Sequence, residues 1–351
     1  MTDHKSYWSD RMRPGNIKRK ALSVEPGVLV TIEPHPEEGG LPLRMRPSVD
    51  SIDLVSWALS NREFIQAHLL KHGGILFRNF QLPSPESFGQ FVIACSDHLL
   101  PYRERSSPRT QISNNIYTST DYPADQSIFL HNENSYQHVW PLKIFFFCST
   151  PPTQGGETPI ADCRRVLARL DPKIRQRFAE RGWMLVRNFG DGLSLSWQSV
   201  FQTEDRSEVE TYCRKAGIEI EWRGDRLRTR QVRHAVAQHP ATGESIWFNH
   251  AAFFHLSTLD PSMREGLLAV LDEADLPNQT YYGDGSPIEP SILEEIREAY
   301  RSETVSFAWQ EGDILMLDNM LTAHGRNPYL GPRKILVAMA EPFGPAAATP
   351  R

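Results

Sequence analysis

Two residue types that bind metal ions stand two apart at His131-Asn132-Glu133. On a β-strand such positions share a face, so an imidazole nitrogen and a carboxylate oxygen can converge on one ion. A third donor, His324, lies far along the chain in Asp318-Asn319-Met320-Leu321-Thr322-Ala323-His324-Gly325-Arg326, after the apolar run Ile314 to Leu317. Two histidines and one carboxylate leave coordination positions open, the donor set suited to a ferrous ion that activates dioxygen. Spacing alone carries little weight. With 12 His and 43 Asp plus Glu in 351 residues, chance supplies about 1.5 His-x-carboxylate cases, and two occur. The other, His35-Pro36-Glu37, sits between Pro and Gly residues and reads as a solvated turn.

Oxidation of an unactivated C–H bond needs dioxygen and a two-electron donor at one metal. A 2-oxo acid serves by chelating through its carboxylate and ketone. Its far carboxylate then calls for a cation, preferably an arginine with two parallel hydrogen bonds. Arg333, at the start of the apolar stretch Lys334 to Met339, is a candidate. Of the pair Arg333-Lys334, strand alternation turns one inward, and Arg333 is the expected contact with Lys334 the alternative. Thr158 follows Gly155-Gly156-Glu157, where a glycine pair lets backbone approach closely.

The elements that must hold these residues are short strands with long insertions. Ile75 to Phe80, the segments around residues 131 and 145, Ile314 to Leu317 and Lys334 to Glu341 read as strands, as does Val28 to Ile32 near the start and Val305 to Trp309 near the end. Asp53 to Lys71 has helical apolar spacing. Ser84-Pro85, Asp171-Pro172 and Asp260-Pro261 carry the cap-then-proline signature of helix starts. Trp183 to Phe189 alternates, and Ile218 to Thr229 turns on Gly224-Asp225 as a hairpin. Regular strand–helix alternation is missing, so a parallel doubly wound sheet is not expected. The expected fold is mainly β with helical insertions, a double-stranded β-helix or jelly roll. Residues 26–345 form one domain with insertions at about 163–305, between a basic tail (1–25) and a C-terminal tail (346–351).

A net charge of −5 argues against a generic nucleic-acid binder. No apolar run reaches membrane-spanning length, and the first 25 residues, with six Lys and Arg between Lys5 and Lys20, do not resemble a signal peptide. Cys95, Cys148, Cys163 and Cys213 lack paired spacing and suit buried thiols of a cytoplasmic protein.

Four segments together resemble the taurine dioxygenase family of Fe(II)/2-oxoglutarate oxygenases: Lys71-His72-Gly73-Gly74-Ile75-Leu76-Phe77-Arg78, His131-x-Glu133, Gly155-Gly156-Glu157-Thr158, and Asp318-Asn319 through His324-Gly325-Arg326 to Arg333. The resemblance implies His131, Glu133 and His324 as iron ligands, Thr158 and Arg333 as contacts to 2-oxoglutarate, and O2 as the second co-substrate. Finer features resemble the clavaminate-synthase-like, syringomycin-type aspartyl hydroxylase branch. They are Ser135-Tyr136, Trp140-Pro141, Phe145-Phe146-Phe147-Cys148, Thr158-Pro159-Ile160-Ala161-Asp162, His239-Pro240-x-Thr242-Gly243-Glu244 and Trp247-Phe248-Asn249. That branch implies hydroxylation of an amino acid, free or tethered to a peptidyl carrier protein, in natural-product biosynthesis. Its halogenating relatives replace the carboxylate by a small residue, so Glu133 implies hydroxylation. Desaturation, cyclisation or epoxidation with the same cofactors is the alternative outcome, and a non-catalytic binding protein on the same fold is the alternative class.

Other polar residues are weaker candidates. Arg326 suits either an ion pair or a substrate carboxylate. Tyr136 and Asn249 suit core hydrogen bonds or substrate contacts. Arg109 lies in the 103–118 segment, which together with residues 190–300 is expected to select the substrate. His234, His239, His250 and His255 have no metal-site spacing and are expected to be structural. Arg164, Arg165 and Arg228 suit solvated or ion-paired positions, and a cationic surface suits an acidic carrier protein.

Overall fold

The computed structural model describes residues 26–33, 40–50, 52–82, 84–101, 104, 110–113, 115–119, 122–190, 192 and 194–344. The tails, His35-Pro36-Glu37 and Arg109 lie outside the described residues. An eight-stranded sheet runs in the order Val30–Glu33, Leu43–Pro47, Gly74–Phe77, Ile314–Asp318, Trp140–Thr150, Lys334–Phe343, Ile116–Thr118, Gln111–Ser113. Neighbours are antiparallel except Leu43–Pro47 beside Gly74–Phe77.

The side-chain period of two explains how this sheet is buried on both faces. Phe145 and Phe147 join Ile75, Phe77, Ile314 and Met316 on one face, against the helices Leu54–Ser60, Arg62–His72 and Pro85–Cys95. Ile144, Phe146 and Cys148 join Leu315, Leu317, Ile335 and Val337 on the other, where Ile160 packs. Ile160 belongs to a three-stranded sheet ordered Ile128–His131, Thr322–Arg326, Ile160–Asp162. The candidate site lies between these two sheets.

The expected helix starts are present. Ser84 accepts from Ser87 N–H and Asp171 from Lys173 N–H, each with proline at the first turn, and Gly182 ends the second helix in the left-handed region. The segment 53–71 is two helices, because Asn61 turns its amide onto the Trp57 carbonyl and breaks the run. The first strand starts later than expected, at Val30, after a helical turn over Pro26–Leu29. Val305 to Trp309 is not a strand. Val305 bridges Ile160, and Phe307 and Trp309 then drop into the core instead of pairing. The insertion carries the expected strand Trp183–Phe189 and the hairpin on Gly224-Asp225 beside its helices. It contains a four-stranded sheet ordered Glu219–Arg223, Arg226–Arg233, Trp183–Phe189, Asn278–Tyr282, with its own core around Phe189, Trp197, Val200 and Val209. All four cysteines are free and buried, and burial pushes their thiols up to about 12. Among the described residues, no helix is long and apolar enough to cross a membrane.

Candidate metal centre

One ligand atom from each of His131, Glu133 and His324 lies within 4.8 Å of the others, and no second cluster of this kind occurs among the described residues. His131 and His324 are register partners on adjacent antiparallel strands, with ring centroids 4.6 Å apart. Glu133 arrives differently from the sequence expectation. The strand ends at His131, and residues 133–136 form a turn with Asn134 at φ +58°. The carboxylate therefore reaches the histidines from a turn, not by strand alternation, and its Oε2 stands 3.7 Å from Nε2 of His324.

That turn is clamped by Asn319. Its Oδ1 accepts from Glu133 N–H (2.7 Å), and its Nδ2 donates to the carbonyls of Glu133 (2.9 Å) and Pro141 (2.8 Å). Asn132 Nδ2 donates back to the Asn319 carbonyl (2.7 Å). Asn319 is fully buried, so each of these bonds replaces water. The glycine pair of the first motif brings the same loop close. Gly73, at φ +77°, offers its carbonyl to Asp318 N–H and Thr322 Oγ1, and a Cβ there would stand 2.5 Å from Thr322 Oγ1.

These donors fit a divalent metal. His131 Nδ1 lies 2.9 Å from the Phe129 carbonyl, which can only accept, so Nδ1 carries the proton and Nε2 the lone pair. His324 presents Nε2 to the carboxylate, and the pair is buried. Phe146 packs on His324 and Phe253 on His131, with centroids 5.0 and 4.7 Å away, so the walls are apolar.

Thr158 and Arg333 line the same cavity as His131 and His324. Arg333 is half-buried and Lys334 exposed, as alternation and side-chain chemistry together suggest. Arg333 Nε donates to the Gly156 carbonyl (2.9 Å), and a Cβ on Gly156 would meet Arg333 Cδ at 3.0 Å. Burial, followed by Arg326, pulls the guanidinium down to about 10, which leaves it cationic at neutral pH. Thr158 Oγ1 accepts from Trp309 Nε1 (3.2 Å).

The remaining candidates have structural partners. Tyr136 donates to the Glu104 carbonyl (2.9 Å). Asn249 donates to the Ala235 carbonyl and accepts from Ala251 N–H. Arg326 lines the cavity but gives its guanidinium to the carbonyls of Tyr122, Pro123 and Gln126, fixing the loop above the site. The four later histidines form no metal cluster. His250 nevertheless sits at the centre, 5.7 Å from the His131 ring and with Nδ1 2.6 Å from Ser135 Oγ. Sequence reasoning missed His250, Phe253, Asn319 and Trp309 as neighbours of the site; only Asn319, in the Asp-Asn pair before His324, carried a signal. A separate cleft of about 580 Å³, between Trp140, Arg181, Arg233 and Phe343, contains none of the three metal-ligand candidates.

The chain matches the taurine catabolism dioxygenase TauD, TfdA family over residues 40–339. It is 40% identical over 307 residues to the dapdiamide synthesis protein DdaC of Enterobacter agglomerans, covering 86% of this chain and 93% of that one. It is 28% identical over 327 residues to a clavaminate synthase-like protein of Arabidopsis thaliana, covering 88% and 96%. The crystal structure of PvcB from Pseudomonas aeruginosa shares the fold, with a TM-score of 0.53 at 16% identity over 91% of this chain and 92% of that one.

Proposed function

Because the chain belongs to the TauD, TfdA family of dioxygenases, we propose that it hydroxylates an unactivated carbon, the β-carbon of an amino acid or of an aminoacyl group on a peptidyl carrier protein. It is an Fe(II)- and 2-oxoglutarate-dependent dioxygenase. The observation that carries the proposal is the convergence of His131, Glu133 and His324, with a carboxylate kept at position 133. The similarity to a dapdiamide synthesis protein supports a place in natural-product biosynthesis. We read the eight-stranded and three-stranded sheets as the two sides of a double-stranded β-helix.

In this reading His131, Glu133 and His324 hold the iron. The bound metal supplies dioxygen activation coupled to oxidative decarboxylation of 2-oxoglutarate. The chain's own groups position and desolvate the reactants. Arg333, held by Gly156 through Nε, presents its terminal nitrogens to the far carboxylate of 2-oxoglutarate. Trp309 can only donate, so the single hydroxyl proton of Thr158 is left for that co-substrate. Phe146 and Phe253 keep water from the ligand nitrogens.

The test is incubation with Fe(II), 2-oxoglutarate and a panel of amino acids, free and carrier-loaded, followed by mass and NMR analysis. The proposal expects one substrate to gain one oxygen atom at an aliphatic carbon with equimolar succinate. Loss of two hydrogens would replace hydroxylation by desaturation. Turnover with a non-amino-acid class alone would sink the substrate assignment.

A further inference from the structure

The segment His239-Pro240-Ala241-Thr242-Gly243-Glu244 lies on a hairpin outside the metal centre, between the strands Val236–Gln238 and Ser245–Trp247. We propose that His239 is a positioning residue of the metal centre, acting through Asp318; this rests on the reading of His131, Glu133 and His324 as ligands.

The tautomer follows from the partners. His239 Nδ1 is approached by two backbone donors, Ala241 N–H (3.3 Å) and Thr242 N–H (3.2 Å). It therefore carries the lone pair, and the proton is on Nε2, 3.0 Å from Asp318 Oδ2. Both side chains are buried, so the bond is shielded from competing water. The other oxygen, Oδ1, accepts from Met320 N–H and Leu321 N–H, each at 3.0 Å. Asp318 thus closes the turn joining Ile314–Asp318 to Thr322–Arg326, the strand that carries His324. Asn319, the next residue, clamps the backbone of Glu133. One carboxylate therefore sets the turn from which two of the three ligands are placed, and His239 fixes the rotation of that carboxylate from a hairpin 79 residues away in sequence. Partners behind metal-binding groups are known to matter for affinity as well as for fold.

Two amides divide the roles of the imidazole. In His239→Asn, a side-chain oxygen takes the place of Nδ1, keeps the turn acceptor and falls short of Asp318. In His239→Gln, the amide NH2 takes the place of Nε2 and keeps the bond to Asp318. The probe is Co(II), titrated anaerobically into the full chain and followed by visible absorption, at a temperature below the Tm of every variant. Thr242→Ala, which removes the acceptor for Glu244 N–H in the same hairpin, is the control for simple loosening. His239→Asn is expected to weaken Co(II) about tenfold, with His239→Gln and Thr242→Ala within about threefold of wild type. Wild-type affinity in His239→Asn, or equal weakening in His239→Asn and His239→Gln, overturns the inference and leaves a purely structural hairpin. Should His239→Asn not fold, Asp318→Asn reads the same bond from its other end: it keeps an oxygen for the turn and sets an NH2 against Nε2–H. Its expected loss is also about tenfold, and unchanged affinity there overturns the inference. A wild-type chain that binds no Co(II) overturns the underlying iron-centre reading instead.

Discussion

Replacing Asn319 by alanine should disable the centre without touching a ligand. The side chain makes three hydrogen bonds, to Glu133 N–H and to the carbonyls of Glu133 and Pro141, and is fully buried. Truncation leaves one donor and two acceptors unmet, at about 1–3 kcal/mol for each group that stays dry. The three share one residue and the turn can relax, so the sum should be about 2–4 kcal/mol rather than the full total. At about 1.4 °C per kcal/mol for a chain of 351 residues, Tm should fall by about 3–6 °C. Metal affinity should fall by about tenfold or more, because Glu133 loses the clamp on its backbone. Thermal unfolding of the metal-free chain and anaerobic Fe(II) titration measure the two effects separately. A Tm within about 2 °C of wild type, together with unchanged Fe(II) affinity, would refute the idea that Asn319 holds the Glu133 turn.

Arg333→Ala should raise KM for 2-oxoglutarate by about 30-fold or more, the cost of losing the half-buried partner proposed for its carboxylate, while the exposed Lys334→Ala should leave it unchanged; succinate formation against 2-oxoglutarate concentration decides between them. Trp309→Phe removes the donor to Thr158 and should raise the same KM by about 3- to 10-fold, with a smaller change in kcat, as expected for a hydrogen bond worth about 1 kcal/mol. His255 should make stability pH-dependent. Its Nδ1 accepts from Ser257 N–H, and burial, followed by Arg297, lowers its imidazole from the ordinary 6.5 to about 4. The unfolded chain therefore takes up the proton first. The contribution is complete above about pH 6.5 and is lost as pH falls towards 4. A Tm–pH series should show this slope in wild type and a flatter one in His255→Asn.

The residues of the centre were legible because each is a chemical type at a motif position, and motif order survives any insertion. Their geometry was less so. Strand alternation was the natural reason for Glu133 to join His131, yet the chain turns after His131, and the carboxylate is delivered by Asn319 from 186 residues away. A contact of that separation leaves no local period to read. That Arg333 rather than Lys334 is the half-buried member of the pair was readable, since strand alternation turns one of the two inward. Tyr136, Asn249 and Arg326 were ambiguous for a physical reason: a buried hydroxyl, amide or guanidinium must find partners, and backbone carbonyls of loops fill that need as well as a substrate would. Elements were legible where caps and turns carry the signal, as at Ser84-Pro85 and Gly224-Asp225. They failed where tertiary packing decides, as at Val305 to Trp309, whose aromatic side chains gain more from the core than from pairing.

The central claim is that His131, Glu133 and His324 form one iron site that drives turnover of 2-oxoglutarate. The most direct measurement is succinate formed from 2-oxoglutarate in air with added Fe(II), in wild type and in His131→Ala, Glu133→Ala and His324→Ala. Turnover in wild type and background signal in all three variants is the expected result. Succinate at the wild-type rate in any of the three, with the variant folded, would contradict it.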